Sequence, residues 1–467
     1  MWGSYPMPMQ IERFYLGCLA HASYLVYDSG EAAVIDPQRD VTIYIERAAE
    51  LRLKIRWIIE THLHADFVSG HLELAQETGA TICIGAGSGA TFAHRDLRDG
   101  DTLPLGLALL RAMSTPGHTE ESICVTAWED GAPKAAFTGD TLFIGDVGRP
   151  DLSPTKTPEQ LAAMLYHSLH DKLLKLPGET IVYPAHGAGS LCGRSMSDDA
   201  SSTIARELRT NYALQPMTED AFVQLLTGDL PPRPAYFQDE VARNRAGAMP
   251  LEDLPPVPEL TPAQVEDLQA VGAIVLDTRP WAQFAAAHIP GSINIALGGQ
   301  FASWAARMLG ISSAQVVLVA EDQAAVAEAR LRLARVGLEA VIGTVAGGIM
   351  GWISAARPVA SIDQIPAAEI SAWIEADPQH RTLLDIRETS ERSLGAIPGS
   401  RSIPLPELQE HLGQLNHEEP IAVHCLGGYR SAIAASILQA AGFKDVINVT
   451  GGYNAWALAH SDTTVSA

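Results

Sequence analysis

Short apolar runs recur along this chain, and polar residues gather where they stop. A-A-V-I closes on Asp36, I-R-W-I-I-E-T-H runs from Ile55 to His62, and I-A-V-H-C runs from Ile421 to Cys425. Runs of this length, rich in β-branched residues, predict buried strands. Between them lie amphipathic stretches that predict helices, one from about Val41 to Leu51 and another after His71. Farther on, V-V-L-V-A precedes an alanine-rich segment, Ala324 to Val336, and I-A-V-H-C precedes a similar one, Ser431 to Ala441. Strand–helix alternation of this kind predicts an α/β protein with mostly parallel sheets in its C-terminal half.

That half is an internal repeat. A-I-V-L-D-T-R around Asp277 matches T-L-L-D-I-R around Asp385, and I-P-G-S at Ile289–Ser292 returns in the same register at Ile397–Ser400. Gly347, Gly348 and Trp352 pair with Gly451, Gly452 and Trp456. So many matches in register indicate two copies of one domain. The proline-rich stretches Leu254–Pro262 and Ala356–Pro366 suit connectors, since proline fixes φ and donates no hydrogen bond. The predicted domains are residues 1–255, 258–358 and 362–467.

Composition narrows the class. The 467 residues are 47% hydrophobic and 19% charged, which is ordinary for globular domains. Lys and Arg number 32 against 55 Asp and Glu, a formal charge of −23, so neither nucleic acid nor an anionic membrane is an expected partner. The five cysteines are scattered and show no C-x-x-C spacing, which argues against a disulfide framework. No signal-like N-terminus or charge-free spanning stretch is present, and a cytoplasmic location is expected.

The candidate chemistry sits at strand ends. T-H-L-H-A-D-F spans Thr61–Phe67, S-T-P-G-H-T spans Ser114–Thr119, T-G-D-T spans Thr138–Thr141 and Y-P-A-H-G spans Tyr183–Gly187. Imidazole and carboxylate together suit iron or zinc. This pattern resembles the metallo-β-lactamase superfamily, whose T-H-x-H-x-D-H signature and later His, Asp and His serve two metal sites. The resemblance implies an αββα sandwich. One departure stands out: Phe67 occupies the place of the signature's last histidine and cannot coordinate. The variant with Phe67, V-S-G-H to His71 and G-D-V-G-R-P-D is similar to persulfide dioxygenases fused to rhodanese domains. That resemblance implies one Fe(II) held by His62, His118 and Asp140, with His64, Asp66 and His186 behind them and Arg149 near the substrate. It also implies O2 and a low-molecular-weight persulfide (of glutathione or coenzyme A type) as reactants. Whether Cys192, in the loop after His186, faces the pocket or is an inert buried thiol stays open.

I-A-V-H-C-L-G-G-Y-R-S ends a strand with Cys425, passes two glycines and opens a helix near Arg430. Such a loop directs backbone N–H groups inward at a helix N-terminus and favours a thiolate nucleophile. With D-x-R and I-P-G-S upstream, it resembles rhodanese, matching at Cys425, Gly428 and Arg430. The implied activity is sulfane-sulfur transfer between persulfide, sulfite and thiosulfate. The first copy places Ala320 opposite Cys425 and Ala325 opposite Arg430, so it is expected to be silent. A scaffolding or subunit-contact role is expected for it, in a homo-oligomer. The rival readings are a zinc thioester hydrolase of glyoxalase II type, a phosphatase-like loop at Cys425, and a sulfur-relay or sensing module with a vestigial metal site.

Overall fold

Residues 10–203 build two six-stranded sheets whose apolar inner faces meet. The computed structural model describes residues 8–194, 196–228, 230, 232–312 and 314–461; the extreme ends assigned to the first and third domains lie outside them. The chain divides at Leu254/Pro255 into two compact units.

In the first unit one sheet runs in chain order: β1 (Gln10–Leu16), β2 (His21–Asp28), β3 (Glu31–Ile35), β4 (Lys54–Glu60), β5 (Thr81–Gly85) and β6 (Arg95–Leu97). The second comprises β7 (Thr102–Leu105), β8 (Ala108–Ser114), β9 (Ile123–Glu129), β10 (Ala132–Gly139), β11 (Ile181–Pro184) and β12 (Ser202–Thr203), in the order β12-β11-β10-β9-β8-β7. Tyr24, Ile35 and Ile59 from one sheet pack against Leu110, Val125 and Phe137 from the other.

Helices cover both outer faces. Tyr44 of α1 (Thr42–Leu51) and Leu74 of α2 (His71–Thr78) join Val34 and Ile58 of the first sheet. Leu165 of α3 (Pro158–His167), Ile204 of α4 (Ile204–Thr210) and Phe222 of α5 (Glu219–Thr227) join Ala136 and Val182 of the second. A last helix, α6 (Phe237–Ala246), closes the unit. The layers are therefore α/β/β/α, as the metallo-β-lactamase resemblance implied. The turns after β4, β8, β10 and β11 carry the four motifs. Gly139 shows why the approach is tight: at φ +51° a Cβ there would lie 2.5 Å from Thr61 Oγ1.

The second unit holds two five-stranded parallel sheets of identical order. The first comprises β13 (Glu259–Leu260), β14 (Ile274–Asp277), β15 (Ile293–Asn294), β16 (Val316–Val319) and β17 (Val341–Val345), ordered β13-β17-β16-β14-β15. The other comprises β18 (Asp363–Pro366), β19 (Thr382–Asp385), β20 (Arg401–Ser402), β21 (Ile421–His424) and β22 (Val446–Thr450), ordered β18-β22-β21-β19-β20. Parts of both predicted connectors are thus edge strands, where one side of the backbone needs no partner and proline is tolerated. Asp277 pairs with Val319 and Asp385 with His424, so the strand frames superpose and Ala320 takes the place of Cys425. No helix among the described residues is long and apolar enough to cross a membrane.

Candidate metal centre and cysteine loop

Thr61 opens the turn after β4 and fixes the first candidate ligand. Its hydroxyl donates to Asp36 Oδ2 at 2.9 Å while its backbone N–H donates to Asp36 Oδ1 at 2.7 Å. A hydroxyl whose proton is committed can only accept from His62 Nδ1, 3.0 Å away, which leaves the lone pair on Nε2. His118 reaches the same tautomer, its Nδ1 donating to the Arg149 carbonyl at 2.9 Å. Asp140 spends Oδ1 on His186 Nδ1 at 2.8 Å. Its Oδ2 lies 3.3 Å from His118 Nε2 and 3.8 Å from His62 Nε2.

These three atoms converge in a fully buried spot, and His118 Nε2 and Asp140 Oδ2 have no hydrogen-bond partner. Buried polar atoms left unpaired are costly, and a cation between them removes that cost. Two neutral imidazoles and one carboxylate therefore fit a metal of the iron or zinc type. Protonation states agree. Burial holds both His62 and His118 below the usual imidazole range. Burial alone would raise Asp140, but the neighbouring His186, His62 and His118 hold its carboxyl well below the carboxylate range. Gly148 is needed here as well, because a Cβ would meet the Asp140 carbonyl at 2.0 Å and His118 Nδ1 at 2.8 Å.

Next to this centre lies a second buried group that could hold a metal: Asp66 Oδ2 faces His186 Nε2 at 3.0 Å, and with Cys192 Sγ these ligand atoms lie within 4.8 Å of one another. Phe67 is buried there, with its ring centroid 4.0 Å from His21 and 4.4 Å from His64. His21, from the start of β2, was not singled out in the sequence, since it sits outside every motif; both its ring nitrogens are buried without partners. His64 turns to Asp36 (3.2 Å) and Glu60 (3.5 Å); burial opposes its charge, but Asp36 raises its pKa. Burial opposes charge on His186 too, yet Asp140 and Asp66 raise it well above the usual range. Burial, followed by Asp66, pushes the Cys192 thiol well up.

Arg149 is committed elsewhere. Its guanidinium grips Asp151 through Nε (2.6 Å) and a terminal nitrogen (2.8 Å), and the other terminal nitrogen reaches the Leu191 carbonyl. What the structure shows it giving the centre is its main-chain carbonyl, on His118.

In the second unit Cys425 follows β21 and precedes the helix Tyr429–Ala440. Gly428, at φ +113°, donates its N–H to Cys425 Sγ at 3.0 Å. Arg430 is held by Glu391 through two 2.6 Å bonds, a clamp that was not legible in the sequence. A cavity of about 380 Å³ opens over Cys425, walled by Tyr429 and Arg430 and, from the first repeat, by Gln300 and Trp304.

Residues 16–186 match the metallo-β-lactamase superfamily, and residues 261–355 and 366–459 match the rhodanese-like domain. Over 258 residues, 47% of this chain and 85% of the relative, it is 36% identical to a probable metallo-hydrolase of Burkholderia pseudomallei (strain 1710b). The chain belongs to the metallo-β-lactamase superfamily. Within that superfamily it is 34% identical to the mitochondrial persulfide dioxygenase ETHE1 of Bos taurus, over 48% of this chain and 82% of the relative. A solved metallo-β-lactamase from Staphylococcus aureus subsp. aureus COL aligns over 72% of this chain and 99% of its own, at 30% identity and a TM-score of 0.66. This superfamily member carries two rhodanese-like domains and is an enzyme of metallo-hydrolase or dioxygenase type.

Proposed function

We propose that this enzyme is a persulfide dioxygenase joined to a sulfurtransferase: RSSH, O2 and water give RSH and sulfite, and Cys425 exchanges sulfane sulfur between persulfide, sulfite and thiosulfate. The observation that carries the reading is the three-ligand set His62, His118 and Asp140, with Phe67 standing beside it in place of the signature's last histidine. His62, His118 and Asp140 would hold one Fe(II), which would supply the binding and activation of a thiolate-like sulfur and of O2. The chain's own residues do the rest. Thr61 and the Arg149 carbonyl hold both imidazoles in the ligating tautomer, and His186 holds Asp140 with one oxygen free. Phe67 puts carbon where the superfamily signature has a histidine for a second metal, so that position has one ligand fewer, which supports oxidation over thioester hydrolysis. In the second unit the Gly428 N–H stabilises negative charge on Cys425 as a sulfur–sulfur bond forms or breaks.

Oxygen uptake with glutathione persulfide, together with metal analysis, tests the reading. One iron per chain and one sulfite per O2 are expected. Thioester cleavage without O2, or two metals per chain, would favour the hydrolase reading that the Burkholderia relative's description suggests.

A further inference from the structure

The first rhodanese-like repeat has Ala320 where the second has Cys425, yet it reaches the cysteine loop. Its Gln300 and Trp304 wall the cavity of about 380 Å³ over Cys425, together with Gly427, Tyr429 and Arg430 of the second repeat. Both are held in place. Arg332, buried in the first repeat, donates to the carbonyls of Leu297 and Gly299 and so pins the loop that leads into Gln300. Between the repeats, the Tyr429 hydroxyl donates to the Ala296 carbonyl at 2.9 Å and the Asn294 N–H donates to Ser436 Oγ at 3.0 Å. Tyr429 and Ser436 belong to the helix that follows the cysteine loop. Trp304 is buried on the helix Phe301–Leu309, with the Arg307 guanidinium 4.8 Å from its ring centroid, and Arg307 lies 3.8 Å from Glu388 of the second repeat. A wall fixed in this way is set before a ligand arrives.

Its chemistry differs from that of an inorganic anion site. Among the described residues that line the cavity, Arg430 is the sole cation, and Glu391 takes both its terminal nitrogens at 2.6 Å. The remaining walls offer an indole, a phenol ring and a carboxamide, in a volume suited to a small organic ligand. Sulfite or cyanide fills little of that space and finds no uncommitted cation on its walls.

We infer that Gln300 and Trp304 make the first repeat the specificity element of the cysteine loop: they seat the carbon body of an organic thiol that accepts sulfur from Cys425. This rests on the sulfurtransferase half of the reading above. The acceptor's thiolate attacks the outer sulfur of a Cys425 persulfide, and a new S–S bond forms between them. The bond from that sulfur to Sγ breaks, the outer sulfur keeps its proton, and the electron pair stays on Sγ as a thiolate beside the Gly428 N–H.

S-Methylglutathione, which has no thiol to accept sulfur, separates seating from transfer. On the full chain it should slow alkylation of Cys425 by iodoacetamide at least threefold, read by mass spectrometry of the peptide that carries Cys425, and Trp304→Leu should remove that protection. With sulfur loaded on Cys425, the ratio of transfer to glutathione over transfer to cyanide should fall at least tenfold in Trp304→Leu and return to within threefold in Trp304→Phe. Gln300 is exposed, so Gln300→Ala leaves the core intact, and it should lower the same ratio at least threefold. Lack of protection in the wild-type chain would overturn the inference, as would ratios within threefold of wild type in both Trp304→Leu and Gln300→Ala. Protection without any sulfur transfer would sink the sulfurtransferase reading and leave the seat standing.

Discussion

Thr61 is one hydroxyl placed between Asp36 and His62, and the choice of ligating nitrogen depends on it. Thr61→Val keeps the shape and removes the acceptor. Metal affinity measured by chelator competition should fall about 10- to 100-fold, the usual effect of losing such a support. An unchanged affinity would mean that packing alone sets the ring. Phe67→His tests the other side of the centre. With Asp66 and His186 already in place, metal analysis should rise from one toward two per chain, and O2-dependent turnover should fall at least tenfold. The candidate ligands were legible in the sequence because each sits in a turn motif. Asp36 and His21 were not, for their roles arise only when β2 and β3 bring them beside residues far along the chain. The same applies to Arg149: its motif marks a residue at the site, but only the fold shows that Asp151 takes its guanidinium.

At the scale of elements, the repeat and its strand–helix alternation were readable from matched D-x-R and I-P-G-S segments. The edge strands were not, since prolines and short runs look like connectors until pairing fixes them. The strand before the cysteine makes a measurable difference between the copies. His424 is buried next to Asp385, whereas its counterpart is Val319. Burial lowers the His424 pKa to about 4, from an ordinary value of 6.5. Between those values the unfolded chain is protonated and the folded one is not, so this group adds stability that is complete above about pH 6.5 and is lost as pH falls toward 4. Its share of the slope is at most about 1.4 kcal/mol per pH unit. His424→Val should flatten the fall in Tm between pH 6.5 and 4. Parallel curves for the two proteins would refute the assignment.

For the whole molecule, the residues of the two proposed chemistries lie in separate compact units. Cys425→Ser should therefore abolish sulfur transfer to cyanide or sulfite while sulfite production from added glutathione persulfide continues at near wild-type rate. Loss of both would show one shared path. Family membership at this scale was legible from four motifs and one loop. The wall of the cavity over Cys425 was not, because Trp304 carries no motif and gains meaning only from what surrounds it.

All five cysteines are unpaired, and four of them lie outside the rhodanese-like loop that carries Cys425. The proposed sulfur transfer requires that the other thiols keep no sulfur of their own. Burial raises Cys83 to about 12 and Cys124 to about 11, and holds Cys192 well above its ordinary value, so these three remain in the unreactive protonated form. Whole-protein mass spectrometry after thiosulfate treatment should accordingly find a single added sulfur, on Cys425, with half-buried Cys18 as the place where leakage would first appear.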